Sequence, residues 1–337
     1  MRGKTPTREA ARGKIAHKCV RLPVLFSSND HPELLMPTPT SSIQLQQQAD
    51  LSVLRVENRH ATAHIALQGG QVLTYTRRSE RPLLWLSEQA EYRRGQSLRG
   101  GIPVCWPWFG DLARNPDAVQ RMATANDNIA AHGFVRTLDW HLYASTEHAD
   151  STELVLRYST ANGAAPASWP HAAELLLTIS IGKSLQLRLT TRNLDTSALA
   201  ITQALHTYFA ISDIEQVAVS GLEDCRYIDT LDNWRERPQH GVVRFIAETD
   251  RIYLDTPAQM QLHDAGWQRT IYLRTKNSAS AVVWNPWIEK SKRLSQFATN
   301  AWRDMVCIET ANVRDDTQTL PPNAEHTMEL ELWAEQT

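Results

Sequence analysis

The sequence predicts an all-β protein built as one large antiparallel β-sandwich. From about Ser41 onward, apolar and polar side chains alternate with a period of two, the pattern of strands that bury one face. Long helical periodicity is nearly absent, and no stretch resembles a strand–helix–strand unit. No Pro-, Gly- or Ser-rich linker interrupts residues 41–337. We therefore expect these residues to form a single domain.

Residues 1–40 are predicted to be a basic, loosely ordered N-terminal extension. They hold seven Lys or Arg and three Asp or Glu, a net charge of +4, whereas the rest of the chain holds 28 basic and 34 acidic residues. The segment contains a proline cluster and lacks the apolar run of a secretory signal. An organelle transit peptide is an alternative, although the amphipathic, Ser-rich pattern of such peptides is missing.

The clearest strands form a hairpin within Glu174–Asn193, where leucines and isoleucines alternate with polar residues on both sides of Gly182. Met328, Leu330 and Leu332 give the same alternation near the C-terminus. The other predicted strands are Leu51–Val56, Ala63–Leu67, Val72–Thr76, Glu153–Tyr158, Ala200–Ala210, Val242–Glu248, Arg269–Arg274, Ala281–Trp284 and Met305–Thr310.

Charge and composition exclude several classes of protein. The net charge is −2, so no basic footprint for nucleic acid is present. No apolar run is long enough for a transmembrane helix, and we expect no membrane association. The four cysteines are widely spaced, with no Cys/His cluster at metal-ligand spacing. We therefore expect reduced thiols, a cytoplasmic protein and no metal site.

The segment LRGGIPVCWPWFG, Leu98–Gly110, carries the first candidate site residue. Arg99 precedes a glycine pair, and Pro103 and Pro107 forbid a regular ladder of strand hydrogen bonds. Either Arg99 neutralises a carboxylate at a buried structural corner, or it offers hydrogen-bond donors to a ligand.

Two further segments contain histidines. In AHGFVR, His132 precedes a glycine, and Arg136 lies at a same-face strand distance from Phe134. A histidine before glycine is commonly a turn residue, but a nearby guanidinium also suits a phosphate group. In ALHTYF, strand alternation places His206 on one face with Tyr208, either as a hydrogen-bonded core residue or as a rigidly held titratable group.

The segment MVCIETANV places Glu309 at the end of an apolar strand, on the face opposite Val306 and Ile308. A carboxylate here either reaches solvent or an arginine, or it acts in proton transfer within a partly desolvated site.

These segments, together with TDRIY at Thr249–Tyr253 and VVWNPWIEKSK, resemble in the same order the glucose-6-phosphate 1-epimerase branch of the aldose 1-epimerase superfamily. The resemblance runs from about Ser41 to the C-terminus. It implies a galactose-mutarotase-like β-supersandwich. It also implies interconversion of the α and β anomers of D-glucose 6-phosphate without a cofactor. We expect a monomer, because no exposed apolar stripe is legible in the sequence.

Matched position by position, the resemblance implies that His206 and Glu309 are catalytic. It implies that Asp250 binds sugar hydroxyls, that Arg99 and Arg136 bind the phosphate, and that His132 contacts the substrate. Two departures concern the phosphate end: Ala131 stands where some members have a substrate-binding Gln, and the stretch Asp111–Ile129 is longer than a minimal connection.

Other functions remain open from the sequence alone. A non-catalytic carbohydrate-binding sandwich is disfavoured because both proton-transfer groups are present. A mutarotase of unphosphorylated aldoses differs only in whether the two arginines converge. A glycoside hydrolase is weaker still, since it would require two carboxylates flanking the scissile bond.

Overall fold

The computed structural model describes Met1 and residues 42–124, 129–161 and 165–337. The predicted N-terminal extension therefore lies, apart from Met1, outside the described residues. Within them, strands dominate and the helices are short. No helix in these ranges is long and apolar enough to cross a membrane.

The strands follow one another along the whole described chain. They are β1 (Ile43–Gln48), β2 (Leu51–Glu57), β3 (Ala61–Ala66), β4 (Gln71–Arg77), β5 (Val104–Cys105), β6 (His141–Glu147), β7 (Thr152–Ser159), β8 (Ala173–Ile181), β9 (Leu185–Asn193), β10 (Leu199–Ile201), β11 (Gln203–Leu205), β12 (Tyr208–Ala210), β13 (Val217–Ser220), β14 (Arg226–Asp229), β15 (Arg235–Pro238), β16 (Thr249–Leu254), β17 (Gln259–Asp264), β18 (Arg269–Lys276), β19 (Ser280–Asn285), β20 (Met305–Asn312), β21 (Gln318–Leu320) and β22 (Glu325–Gln336).

Short helices occupy the connections between strands. The two α-helices are α1 (Asp117–Gln120) and α2 (Trp287–Ser291), and the 3₁₀ turns are Leu112–Arg114, Val135–Thr137, Ile214–Gln216, Ala301–Arg303 and Arg314–Asp316.

Two eight-stranded antiparallel sheets make up most of the fold. One runs in the order β13-β17-β18-β22-β9-β8-β7-β6. The other, which we call the site sheet, runs β15-β14-β16-β19-β20-β11-β5, with β12 also paired to β20. Apolar side chains from both sheets belong to one continuous buried cluster, as in a sandwich. The predicted all-β, antiparallel class is confirmed.

The predicted hairpin within Glu174–Asn193 is confirmed as β8 and β9. The two strands pair from Ala173–Asn193 to Ile181–Leu185, and Gly182 lies in the turn between them. Along β8, every second residue is buried, so the period of two marks one face packed in the core.

Two strand predictions are wrong. Val242–Glu248 is an irregular segment in which Ile246 is 88% exposed and Val243 alone bridges to Val219. Ala200–Ala210 is divided into β10, β11 and β12. The breaks fall where Thr202 and His206 donate their backbone N–H groups to the carbonyls of Pro107 and Pro103, at 3.1 Å and 3.0 Å. Hydrogen bonds to the proline-containing segment thus replace a continuous ladder.

Candidate active site

Glu309 lies on the outer face of the site sheet. Its strand, β20, buries Val306 and Ile308 in the main core, while Glu309 points to the opposite face, as alternation predicted. The residue is only 1% exposed, and its Oε2 atom has no hydrogen-bond partner among the described residues. An unpaired buried carboxyl oxygen is costly unless a ligand pairs with it.

His206 lies beside Glu309, with its Nε2 atom 3.3 Å from Glu309 Oε1. It belongs to the break between β11 and β12 rather than to a continuous strand. The Tyr208 ring stacks on the imidazole at a centroid distance of 4.8 Å and an interplanar angle of 13°. This stacking fixes the ring orientation of a histidine that is 8% exposed.

The segment Leu98–Gly110 holds the backbone on both sides of the His206 ring in place by hydrogen bonds. The backbone N–H groups of His206 and Tyr208 bond the carbonyls of Pro103 and Gly101, at 3.0 Å and 2.9 Å. Gly101 has φ +63°, and a Cβ there would lie 2.2 Å from the Val72 carbonyl oxygen. The second glycine of the motif is therefore required by the close packing of backbone that positions the histidine.

Burial favours the neutral form of both members of the pair. It raises the pKa of Glu309 well above its usual value, with the nearby Asp250 carboxylate adding to the effect and Arg136 opposing it. Burial also lowers the pKa of His206, and His132, Arg136 and Arg99 lower it further. These directions place one proton on Glu309 and leave His206 neutral.

His132 lies across the site from His206, with ring centroids 5.6 Å apart. The Gly110 N–H donates to His132 Nδ1 at 3.2 Å, so Nδ1 is the acceptor and Nε2 carries the proton. Burial, followed by the charges of Arg136 and Arg99, lowers the pKa of His132 to about 3. At neutral pH this histidine is a fixed, uncharged donor.

Gly133 joins the His132 turn to the tryptophan segment and has φ +71°. A Cβ at this position would lie 1.8 Å from the Trp106 carbonyl oxygen, which itself accepts the Phe134 N–H at 3.2 Å. Contacts this short cannot be relieved by moving a flexible side chain. The turn that presents His132 therefore requires glycine.

We expect Gly133→Ala to lower the free energy of unfolding far more than Gly95→Ala does, as measured by urea denaturation. Gly95 has φ +77° with nothing within 4 Å of its added Cβ, so alanine there meets only the left-handed backbone cost of about 1–2 kcal/mol. Equal losses in the two variants would contradict the packing role of Gly133.

Arg99 and Arg136 approach the same pair of histidines. Each lowers the pKa of both His132 and His206, so both cations lie near these rings. Arg99 Nη1 is 3.4 Å from the Tyr208 hydroxyl, and Arg136 Nη2 donates to the Ala131 carbonyl at 3.1 Å. Neither guanidinium has a carboxylate within 4.0 Å among the described residues. The strand-like spacing predicted for Arg136 is wrong, since it lies in the 3₁₀ turn Val135–Thr137.

Asp250 enters the site from β16, directly opposite Trp284 of β19. Burial raises its pKa, and Lys290, whose Nζ is 3.8 Å from Asp250 Oδ2, opposes that rise. Lys290 also lies 3.1 Å from Glu248 Oε1 and 5.9 Å from the centroid of the Trp284 ring. The lysine thus connects the acceptor carboxylate to the aromatic wall.

An open cavity of about 390 Å³ lies over the outer face of the site sheet. His132, Asp250 and Glu309 line it, whereas His206, Arg99 and Arg136 do not belong to its lining. The other lining residues are Phe109, Gly110, Asp111, Arg114, Asn115, Pro116, Thr230, Leu231, Trp234, Ile252, Val282, Trp284, Lys290, Val313 and Arg314.

Several of these residues had no assigned role at the sequence level. Lys290 belongs to the VVWNPWIEKSK string, so the resemblance offered a signal for it. Arg114, Trp234 and Arg314 come from three distant loops and form no local pattern. The long Asp111–Ile129 connection also supplies part of the cavity wall through Asp111, Arg114 and Asn115.

A buried His–Glu pair beneath an open, partly polar cavity suits proton transfer on a small hydroxyl-bearing ligand. The chain belongs to the aldose 1-epimerase family, whose family model matches residues 52–333. The predicted family resemblance and the predicted epimerase class are confirmed.

Curated relatives described as "Putative glucose-6-phosphate 1-epimerase" include proteins of Salmonella typhimurium and Escherichia coli. The Salmonella protein is 33% identical to this chain, and the match covers 80% of this chain and 86% of that protein. The E. coli protein is also 33% identical, and the match covers 78% of this chain and 83% of that protein. A Cenchrus ciliaris protein with the same description is 32% identical over 79% of both chains.

Solved structures support the same fold. The crystal structure of a mutarotase-named protein from Salmonella typhimurium aligns with a TM-score of 0.80 and 30% identity, covering 90% of this chain and 96% of that one. A galactose mutarotase-like protein from Clostridium acetobutylicum aligns with a TM-score of 0.66 at 14% identity, over 88% of this chain and 98% of its own. The predicted galactose-mutarotase-like sandwich is confirmed.

Proposed function

We propose that the protein is a glucose-6-phosphate 1-epimerase that interconverts the α and β anomers of D-glucose 6-phosphate by opening and reclosing the ring. The observation that carries this proposal is the 3.3 Å approach of His206 to Glu309 at the base of the cavity. The curated relatives of similar length share the description, which supports the phosphorylated substrate.

The reaction requires proton transfers at two oxygens bonded to one carbon. As the ring opens, Glu309 takes the proton of the C1 hydroxyl and His206 donates one to the ring oxygen. The bond from C1 to the ring oxygen breaks while the C1 carbonyl forms. After rotation about C1–C2 the ring oxygen attacks the other carbonyl face, and the two residues exchange roles. An adjacent acid and base meet this need.

Before the sugar ring can open with Glu309 as the base and His206 as the acid, the proton held by Glu309 must move to His206. Arg99 opposes that move because its charge lowers the pKa of His206, whereas Arg136 lowers the pKa of both members of the pair. A bound phosphate dianion would neutralise the two cations and thereby favour the imidazolium. Phosphate binding then helps to prepare the acid as well as to anchor the sugar.

Asp250 and His132 complete the proposed substrate contacts. Asp250 supplies an acceptor carboxylate for sugar hydroxyls, and His132 supplies an Nε2–H donor. Because both groups are held by neighbouring residues, they can retain the open-chain aldehyde until it recloses. We also propose that the enzyme acts as a monomer in the cytoplasm without a cofactor.

The experiment that tests this function follows anomer exchange of glucose 6-phosphate and of glucose by NMR, with and without the protein. We expect a large acceleration for glucose 6-phosphate and a smaller one for glucose. Acceleration of both sugars with equal kcat/KM would indicate a mutarotase of unphosphorylated aldoses. Binding without acceleration would indicate a carbohydrate-binding sandwich.

The pH profile of kcat/KM reports the free enzyme, in which the pair must hold one proton. Acid inactivates by protonating His206, whose pKa is lowered, so we expect the acid limb to have its midpoint below pH 6.5. Alkali inactivates by removing the Glu309 proton, whose pKa is raised, so activity should persist well above pH 4.5. Glucose is the substrate for this measurement, because the phosphate of glucose 6-phosphate itself titrates near pH ~6. An acid midpoint at or above pH 6.5 would contradict this protonation state.

A further inference from the structure

Arg114, Trp234 and Arg314 form a compact cluster in the wall of the cavity, which we call the rim cluster. Arg114 ends a 3₁₀ turn, Trp234 lies in the loop between β14 and β15, and Arg314 follows β20. The guanidinium carbons of Arg114 and Arg314 lie 5.2 Å and 5.8 Å from the centroid of the Trp234 ring. Arg314 Nη1 also donates to the Arg114 carbonyl at 2.9 Å. One indole therefore holds two cations together.

These two arginines have no carboxylate partner within 4.0 Å in the described part of the chain, unlike most of the surface arginines there. Neighbouring Arg235 and Arg237, for example, both lie within 4.0 Å of Asp232. The carboxylate that lines the cavity beside Arg114 is Asp111, whose Oδ1 accepts the backbone N–H of Ala113 at 3.0 Å. Asp111 therefore lies near the two guanidinium groups without forming an ion pair with either of them.

The backbone of the rim cluster adopts an unusual conformation. Trp234 has φ +59° and Arg314 has φ +58°, in the left-handed region that favours glycine. Three of the thirteen non-glycine residues with positive φ in the described chain line the cavity, namely His132, Trp234 and Arg314, and such strained backbone is maintained by the structure around it. In the rim cluster, the two residues with this backbone conformation carry the indole ring and one of the two guanidinium groups that the ring contacts.

We propose that the rim cluster is a second phosphate-binding subsite, separate from Arg99 and Arg136. The two positive charges match the charge of about −2 on a phosphate group at neutral pH, and planar guanidinium groups suit its oxygens. The phosphate is either that of the sugar substrate, captured at the cavity mouth, or a separate phosphate ion. The first source depends on the proposed function. A separate phosphate ion would bind whether or not the protein catalyses anomer exchange.

Binding of inorganic phosphate at constant ionic strength, measured by isothermal titration calorimetry, tests the subsite. We expect two phosphate ions per wild-type chain and one in the double variant Arg114→Met/Arg314→Met. The matched control Arg121→Met/Arg235→Met removes the same charge from exposed, ion-paired positions and should still bind two. Wild-type stoichiometry and affinity in the rim variant would overturn the proposal.

Kinetics then distinguish the two sources of phosphate. If the substrate supplies it, the ratio of kcat/KM for glucose 6-phosphate to that for glucose falls at least tenfold in the rim variant. If a separate ion supplies it, that ratio is unchanged while phosphate binding is still lost. A wild-type protein that binds two phosphates but does not anomerise glucose 6-phosphate would sustain the subsite and refute the proposed function.

Discussion

Replacing His206 by Asn or Glu309 by Gln is expected to reduce the kcat/KM for anomerisation of glucose 6-phosphate by about 10²- to 10⁴-fold each. Both substitutions keep the approximate shape of the side chain and remove the titrating group. Because the two residues act as one proton-transfer pair 3.3 Å apart, the double variant should lose little more than either single variant. The measurement is the initial rate of anomer exchange at neutral pH.

Matched variants separate a chemical loss from a folding defect. His64→Asn and Glu174→Gln make the same replacements at part-buried positions outside the cavity, where His64 contacts Thr74 and Glu174 pairs with Arg157. We expect both controls to retain activity and all four proteins to unfold cooperatively. Near wild-type turnover by His206→Asn or Glu309→Gln would show that the acid–base assignment is wrong.

Arg99→Ala and Arg136→Ala are expected to raise the KM for glucose 6-phosphate by about 10- to 100-fold, the loss of one charge-assisted interaction worth roughly 1.5–3 kcal/mol. The KM for glucose should change far less, because glucose carries no phosphate.

The control for this pair is Arg94→Ala. Arg94 is an exposed arginine paired with Asp139, and it does not line the cavity. The Arg94→Ala substitution removes the same charge from the protein as Arg99→Ala or Arg136→Ala. It therefore tests whether net charge alone explains a weaker affinity for the anion. Equal changes in KM for both sugars in the Arg99 and Arg136 variants would rule out the phosphate role.

The alternation of apolar and polar residues with a period of two predicted the fold class and several strands, because a strand with one face in the core places an apolar residue at every second position. It failed at β14, β15 and β16, where exposed or half-buried residues such as Arg226 and Arg251 blur the alternation. Val242–Glu248 shows the opposite failure, since Val243 and Phe245 are buried and Val242 and Ile246 are exposed, yet the segment forms no strand. Local pattern identifies a strand only when one face is clearly buried.

The candidate site could be predicted only in part from the amino-acid sequence. Alternation placed Glu309 on the correct face, but the identity of its partner came from the family resemblance. The break that orients His206 depends on hydrogen bonds to Gly101 and Pro103, which are remote in sequence. Trp234 lies in no motif, and Arg314 follows MVCIETANV without belonging to it, so only the folded chain brings the two side chains together at the cavity.

The central claim is that the pair His206–Glu309 catalyses anomer exchange of glucose 6-phosphate. Two-dimensional exchange NMR on an equilibrated mixture of the two anomers measures this rate directly, with wild-type protein and Glu309→Gln at equal concentration. The account predicts strong exchange cross-peaks between the two anomeric protons with the wild type, and cross-peaks close to the protein-free level with the variant. Cross-peaks at the protein-free level with the wild type, or equal acceleration by both proteins, would contradict it.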